Sequence, residues 1–201
     1  MRLGKSDLVV AEADESDGSF LKYKPFINVI TNIDSDHWDF YRDEEHLHST
    51  FEQSLNSTHE EGCAIVGWDD SGAREVGARY KGTRLTYGSV IGCDIRLISY
   101  ENWGGIARFS AVVERDLIKC HLPMPGKHNA INALAALGVA RSLELNIRVA
   151  AEALASFQGV ARRLQVVGDF NGTRIIDDYA HNPGKIAASI AAVRESWPDH
   201  R

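Results

Sequence analysis

The sequence predicts an α/β protein with a mostly parallel central sheet, flanking helices and a small antiparallel β meander. Short, continuous apolar runs alternate with segments of helical periodicity, as expected for parallel strands buried between helices. A later stretch, residues 94–122, instead alternates apolar and polar residues between turn signals, which indicates antiparallel strands. The composition, 44% hydrophobic and 25% charged, is that of a globular domain and excludes a disordered chain.

The first half of the chain supplies the parallel part of the sheet. Helices are predicted between some of its strands, because residues 44–55 and, more weakly, 71–80 show apolar residues about four apart. The predicted strands are residues 8–11, 27–33, 63–68 and 84–87.

The second half begins with a predicted Ala- and Leu-rich helix at 129–143 and a helix at 147–157 that Asn146 caps. The pattern then changes to two short strands, a turn at 169–172, and a helix that Pro183 opens and Asn182 caps. We therefore place a boundary between domains at residues 1–158 and 159–201. The two short strands are predicted at residues 164–167 and 173–177.

The net charge of −6 and a pI of about 5.7 give the protein no electrostatic reason to bind nucleic acid or an anionic membrane. No apolar run approaches the roughly 18 residues of a membrane span, and no signal peptide is visible. The three cysteines form no C-x-x-C pair, which favours reduced thiols. These observations predict a cytoplasmic protein.

Acidic clusters follow the first two predicted strands. If those strands are parallel, Glu12 and His37 emerge at the same edge of the sheet, where α/β proteins bind ligands. Magnesium needs only one or two protein carboxylates, and its other ligands are water and phosphate oxygens. The pair therefore predicts a Mg²⁺ site, with Mn²⁺ as an alternative because imidazole is a less typical magnesium ligand. The competing interpretation is that both clusters are solvated turns.

Three further groups are candidates for binding phosphate or a nucleotide base. Asn129 and Asn132 share one face of a helix's first turn, although Asn129 could simply cap the helix. The pair Arg162 and Arg163 suits bidentate phosphate contacts, or is ordinary surface charge. Asp177 and Asp178 end a strand before His181, which is otherwise a surface histidine in a turn.

Taken in order, these segments resemble the motifs of the Mur ligase family. Residues 12–20 resemble its glutamate motif, and residues 31–39 resemble T-N-x-x-x-D-H-x-D. Residues 126–134 resemble its adenine-binding motif G-x-H-N-x-x-N-A. The fourth resembles F-x-G-x-x-R-R-F, and the last D-D-Y-x-H-x-P. Each motif is weak alone, but their order makes the resemblance specific. The segments are residues 12–20, 31–39, 126–134, 157–164 and 176–183.

The resemblance implies a central ATP-binding domain followed by the first βα part of a Rossmann-like C-terminal domain. It also implies ATP-dependent joining of L-alanine to UDP-N-acetylmuramate through an acyl phosphate, in peptidoglycan precursor synthesis. The implied roles are Mg²⁺ binding and catalysis for Glu12 and His37, and a place near nucleotide or substrate for His181. The implied ATP contacts are His128, Asn129, Asn132, Arg162, Arg163 and Asp177.

The form of the first motif resembles the alanine-adding branch and its sibling, a tripeptide-recycling ligase. Other branches carry a carbamylated lysine near the position of Phe51, where this sequence has none. Residues 180–183 instead resemble the diaminopimelate- or lysine-adding branch, which leaves the added group open.

The family's G-x-x-x-x-G-K-[ST] phosphate loop is absent from the sequence and is expected before residue 1. The 201-residue chain alone is therefore expected to be inactive. Two other classes compete: a metal-dependent phosphohydrolase that uses Glu12, Asp36 and His37, and a non-catalytic nucleotide-binding module.

Overall fold

The computed structural model describes residues 6–199. Among them, a six-stranded sheet in the order β1-β2-β3-β4-β5-β6 and a separate two-stranded sheet, β7-β8, are flanked by five α-helices. The strands are β1 (Ile27–Ile30), β2 (Cys63–Gly67), β3 (Arg84–Gly88), β4 (Ile95–Trp103), β5 (Ile106–Val113), β6 (Asp116–Leu122), β7 (Gln165–Phe170) and β8 (Thr173–Asp177). The helices are α1 (Glu44–Asn56), α2 (Ser71–Arg79), α3 (Lys127–Ser142), α4 (Ile147–Ala155) and α5 (Pro183–Ser196).

The sheet is parallel from β1 to β4 and antiparallel from β4 to β6. The predicted meander is therefore not a separate layer, because Tyr87 and Gly88 of β3 pair with the start of β4. Antiparallel β5 alternates between buried and partly exposed residues, as a strand with one covered face must. The predicted fold class is confirmed.

Two apolar cores lie on opposite faces of the sheet, and the alternation of β2 separates them. Cys63 and Ile65 point into the core beneath α3, whereas Ala64 and Val66 point into the core beneath α1 and α2. All of β2 is buried, which accounts for its uninterrupted apolar sequence. The helices on both faces leave the ends of the parallel strands open for a site.

The strand predicted at residues 8–11 is wrong. This segment forms no strand, and the side chains of Val9 and Val10 are 90% and 96% exposed. A β-branched run becomes a strand only when its backbone groups pair with a neighbour. Within residues 6–199, β1 is the edge of the sheet and pairs only with β2, so nothing pairs with this run.

The segments after residue 158 follow the sequence prediction closely. β7 and β8 form a hairpin, and its turn places Asn171 and Gly172 at φ 48° and 79°, a region that Asn and Gly tolerate best. The Asn182 side chain caps α5 by accepting from the Lys185 N–H at 2.9 Å. No helix between residues 6 and 199 is long and apolar enough to cross a membrane.

Candidate functional site

The loops that follow β1 and β2 are tied together by Asp70. Its Oδ1 accepts the Ile33 N–H at 3.1 Å and the Ala73 N–H at 2.7 Å. The second bond caps α2, and the first holds the loop after β1 against that cap. This loop contains His37 and lies at the carboxyl ends of the parallel strands, where α/β sheets bind ligands.

His37 has a left-handed backbone, with φ 59°, which is uncommon for a residue with a side chain. Several hydrogen bonds hold it there. The Asp36 Oδ1 accepts the His37 N–H at 2.9 Å, and the His37 carbonyl accepts from Phe40 and Tyr41 at 2.9 and 3.0 Å. The turn is thus fixed, and the imidazole remains partly exposed.

The carboxylate beside His37 is that of Glu15. Its Oε1 lies 3.4 Å from His37 Nε2, and both side chains are partly open to solvent. Glu12 is exposed, follows no strand, and forms no recorded ion pair with His37. Its place in a metal site stays a prediction, and Glu15 is a residue that sequence reasoning missed.

The electrostatic environment of this loop is negative. Tyr41 is 1% exposed and donates its hydroxyl to the Glu15 carbonyl at 2.5 Å. Burial, with added repulsion from the carboxylates of Glu15, Asp14 and Asp17, raises the pKa of Tyr41 to about 12. Residues 6–199 contain no group of three or more His, Cys, Asp or Glu side chains arranged around a common point. The imidazole and carboxylate pair of His37 and Glu15 nevertheless meets the small ligand requirement of Mg²⁺.

The start of α3 carries the next set of predicted residues. Gly126, not Asn129, is its N-cap, and the Asn129 side chain donates to the Pro125 carbonyl at 2.7 Å. Asn132 is exposed one turn later. His128 is exposed at the surface, but partial desolvation of its imidazole lowers its pKa, although the carboxylates of Asp178 and Glu195 oppose that shift and Arg163 adds to it. The charged groups that act on His128 therefore come from beyond residue 158.

The remaining predicted residues lie around Tyr179. The Arg162 Nε is 3.8 Å from Asp177 Oδ2, and its guanidinium lies 4.7 Å from the centre of the Tyr179 ring. The His181 Nδ1 is 3.0 Å from the Tyr179 carbonyl. The structure thus brings Arg162 and Asp177 together, and the imidazole of His181 makes an edge contact with the Tyr179 ring, with 5.3 Å between the ring centres.

Asp36, which the sequence suggested only for the competing phosphohydrolase, connects the His37 loop to two residues at the start of α5 that sequence reasoning did not assign to the site. The Asp36 Oδ2 accepts from Asn182 Nδ2 at 3.1 Å and lies 3.8 Å from Lys185 Nζ. Asn182 was predicted only as a helix cap, and its second contact is 146 positions away along the chain. No local pattern could have indicated that contact.

Comparison with known proteins agrees with this architecture. The family model of the Mur ligase middle domain matches residues 1–140, and that of the Mur ligase glutamate ligase domain matches residues 162–201. Two similar relatives are both named UDP-N-acetylmuramate–L-alanine ligase. The one from Desulforapulum autotrophicum is 40% identical over 98% of this chain, and the one from Geobacter sulfurreducens is 41% identical over 100%. The chain spans 44% of the length of each.

Solved structures show the same fold. The UDP-N-acetylmuramate-alanine ligase from Thermotoga maritima is 27% identical and superposes with a TM-score of 0.78, over 92% of this chain and 42% of that one. A MurF ligase from the same organism, solved in complex with ADP, is 25% identical with a TM-score of 0.75, over 89% of this chain and 41% of its own. With both family models matched in order along the sequence, this chain belongs to the Mur ligase family.

Proposed function

We propose that the protein that carries this chain joins L-alanine to UDP-N-acetylmuramate at the expense of ATP, as a step of peptidoglycan precursor synthesis. The observation that carries the proposal is the identity of about 40% over the whole chain to relatives that bear that name. The strand directions support it, because the His37 loop after β1 and the start of α3 after β6 both follow strands that end at the same edge of the sheet.

The nucleotide would be bound between the start of α3 and the segments beyond residue 158. His128, Asn129 and Asn132 lie on the first turn and a half of α3 and are proposed to contact the adenosine part of ATP. Arg162, Arg163 and Asp177 are proposed to bind the phosphates and ribose from the other side. The ADP in the Thermotoga MurF structure shows that a relative of this fold binds such a nucleotide.

The divalent cation would be bound at the His37 loop. We propose His37 and Glu12 as its ligands, with Glu15 as the carboxylate that the structure holds nearest to the imidazole. Bound there, Mg²⁺ would neutralise charge shared by the γ-phosphate and the substrate carboxylate. The carboxylates of Glu15, Asp14 and Asp17, which add to the effect of burial on the pKa of Tyr41, would also attract a cation.

The reaction would proceed in two balanced steps. A carboxylate oxygen of UDP-N-acetylmuramate attacks the γ-phosphorus of ATP, the bond to the bridging oxygen breaks, and ADP leaves. The neutral amine of L-alanine then attacks the acyl carbon, a proton is lost, and phosphate leaves with the former carboxylate oxygen. The protein's contribution is to hold the reactants together and to stabilise charge. His181 is proposed to lie near the incoming amino acid or the nucleotide.

Competition between L-alanine and the tripeptide, assayed with the protein expressed from its own gene, tests which of them is added to UDP-N-acetylmuramate. With UDP-N-acetylmuramate, ATP and Mg²⁺ present, we expect L-alanine to be consumed with a higher kcat/KM than the alanyl-glutamyl-diaminopimelate tripeptide. The expected difference is at least about tenfold, which corresponds to about 1.4 kcal/mol. A preference for the tripeptide would identify the recycling ligase instead. Phosphate release from simple esters without an amine would identify a phosphohydrolase. The 201-residue chain alone is the control and should release no ADP.

A further inference from the structure

Asp36 uses its two carboxylate oxygens for two different tasks. Oδ1 accepts the N–H of His37 and so belongs to the turn that holds the imidazole in place. Oδ2 accepts from the Asn182 side chain at 3.1 Å, with Lys185 at 3.8 Å. A carboxylate with one partner on each oxygen ties the position of the Asn182 side chain to the turn at His37.

Asn182 is also bound on two sides. Its Oδ1 caps α5 by accepting the Lys185 N–H, and its Nδ2 donates to Asp36. An amide that carries one donor and one acceptor serves both contacts in a single orientation. The hydrogen bond between the Asn182 and Asp36 side chains therefore joins the N-cap of α5 to the turn at His37.

The far end of α5 is held independently on the antiparallel part of the sheet. The Asn102 Nδ2 donates to Ser196 Oγ at 2.8 Å, the Gly104 N–H donates to the Ser196 carbonyl at 3.1 Å, and Tyr100 donates to Glu195 at 3.1 Å. Loss of the Asp36 contact would thus leave α5 docked by its last turn. The contact is separable from the packing of the helix.

We propose that Asp36 and Asn182 are positioning residues which couple the orientation of His37 to the docking of the first turn of α5. This inference rests on the proposed function, since it assigns the contact a role in placing His37 for the reaction.

Swapping the residue types at positions 36 and 182 tests the proposal. In Asp36→Asn, the amide has one acceptor and cannot serve both the His37 N–H and the Asn182 NH₂ group. In Asn182→Asp, the helix cap is kept because Asp caps as well as Asn does, but a carboxylate now faces a carboxylate. The double variant restores the bond with donor and acceptor reversed. Asn146→Asp, the same change at the cap of α4, is the matched control.

The first readout is amide hydrogen exchange in the protein expressed from its own gene. We expect the amides of residues 33–41 and 183–186 to exchange about tenfold faster in each single variant, as for the loss of one hydrogen bond to a charged group, and to recover in the double variant. The Asn146→Asp variant should match the wild type. The proposal is overturned if these amides exchange at the wild-type rate in the single variants. It is also overturned if they exchange in the double variant as fast as in the faster of the two single variants.

The second readout separates positioning from mere stability. Positioning predicts that each single variant raises the Mg²⁺ concentration needed for half-maximal ligation by about tenfold, and that the double variant recovers. A purely structural contact would lower the amount of active protein and leave that concentration unchanged, which would overturn the positioning role. If the wild type shows no ligation, the proposed function fails, while the exchange data still decide whether the two elements are coupled.

Discussion

At the scale of single residues, the His37 region is defined by which carboxylates are occupied by hydrogen bonds. Asp36 and Asp70 each accept a backbone N–H group and so serve the shape of the loops. Glu15 instead faces the imidazole of His37. The carboxylates that build the site are therefore distinct from those that would meet a ligand.

The lowered pKa of His128 makes the stability of the fold depend on pH. In the unfolded chain this histidine takes up a proton near its ordinary pKa of about 6.5, whereas partial desolvation of its ring, with Arg163 nearby, delays that uptake in the folded state although the residue is exposed overall. The free energy of unfolding should thus fall as the pH drops below about 6.5, until the lower folded pKa is reached. Replacement of His128 by Gln should flatten this part of the profile.

The measurement is urea unfolding of the wild type and of His128→Gln between pH 7.5 and pH 5.5. Because the two proteins differ only at residue 128, the difference between the two profiles reports His128. A wild type that gains stability relative to the variant as the pH falls would contradict the account.

Residue types were predictable here, and their pairings were not. The sequence indicated an acidic cluster before the His37 loop, and Glu12 was chosen from it because a strand was expected to end there. The segment instead turns through Gly18, at φ 70°, and the structure brings Glu15 to the imidazole. Which carboxylate faces a ligand depends on such turns, which residue identity alone does not determine.

At the scale of elements, the helices were predicted well because their signals are local. The caps Asn146 and Asn182 are both observed, and α1, α2 and α5 begin where the sequence indicated. The strand prediction at residues 8–11 was wrong because a strand needs a hydrogen-bonded partner, and an apolar run does not indicate whether a partner is present. Buried β2 was predicted from the same kind of run and does have a neighbour on each side.

Substitutions of Asp70 can distinguish its two roles, the capping of α2 and the anchoring of the loop after β1. Both bonds go to Oδ1, so Asp70→Asn can keep both of them. Asp70→Ser can keep the cap but is too short to reach the Ile33 N–H, and Asp70→Ala loses both. We expect Asp70→Ala to lower the free energy of unfolding by about 1–2 kcal/mol and Asp70→Ser by less.

Hydrogen exchange at Ile33 completes that test. The Ile33 amide should exchange faster in Asp70→Ser and Asp70→Ala, and at the wild-type rate in Asp70→Asn. An Ile33 amide that stays protected in Asp70→Ser would show that the loop is held by other contacts.

At the scale of the whole molecule, the candidate site is assembled from distant parts of the chain. The charged groups that act on His128 come from beyond residue 158, and the contact of Asp36 with Asn182 joins residues 146 positions apart. Such contacts depend on how α5 docks on the sheet, which no local pattern describes. The ordered motifs predict which segments supply the residues of the site, and that assignment stays a prediction. The boundary between residues 158 and 159 stays a prediction.

The central claim, ligation through an acyl phosphate, is tested most directly by following an oxygen atom. The protein expressed from its own gene is supplied with ATP, Mg²⁺, L-alanine and UDP-N-acetylmuramate whose carboxylate is labelled with ¹⁸O. The mass of the released phosphate is then measured by mass spectrometry. The account predicts one ¹⁸O atom in each phosphate, because the carboxylate oxygen attacks phosphorus and leaves with it. Phosphate without the label would contradict the account, since water or another group would then have accepted the phosphoryl group.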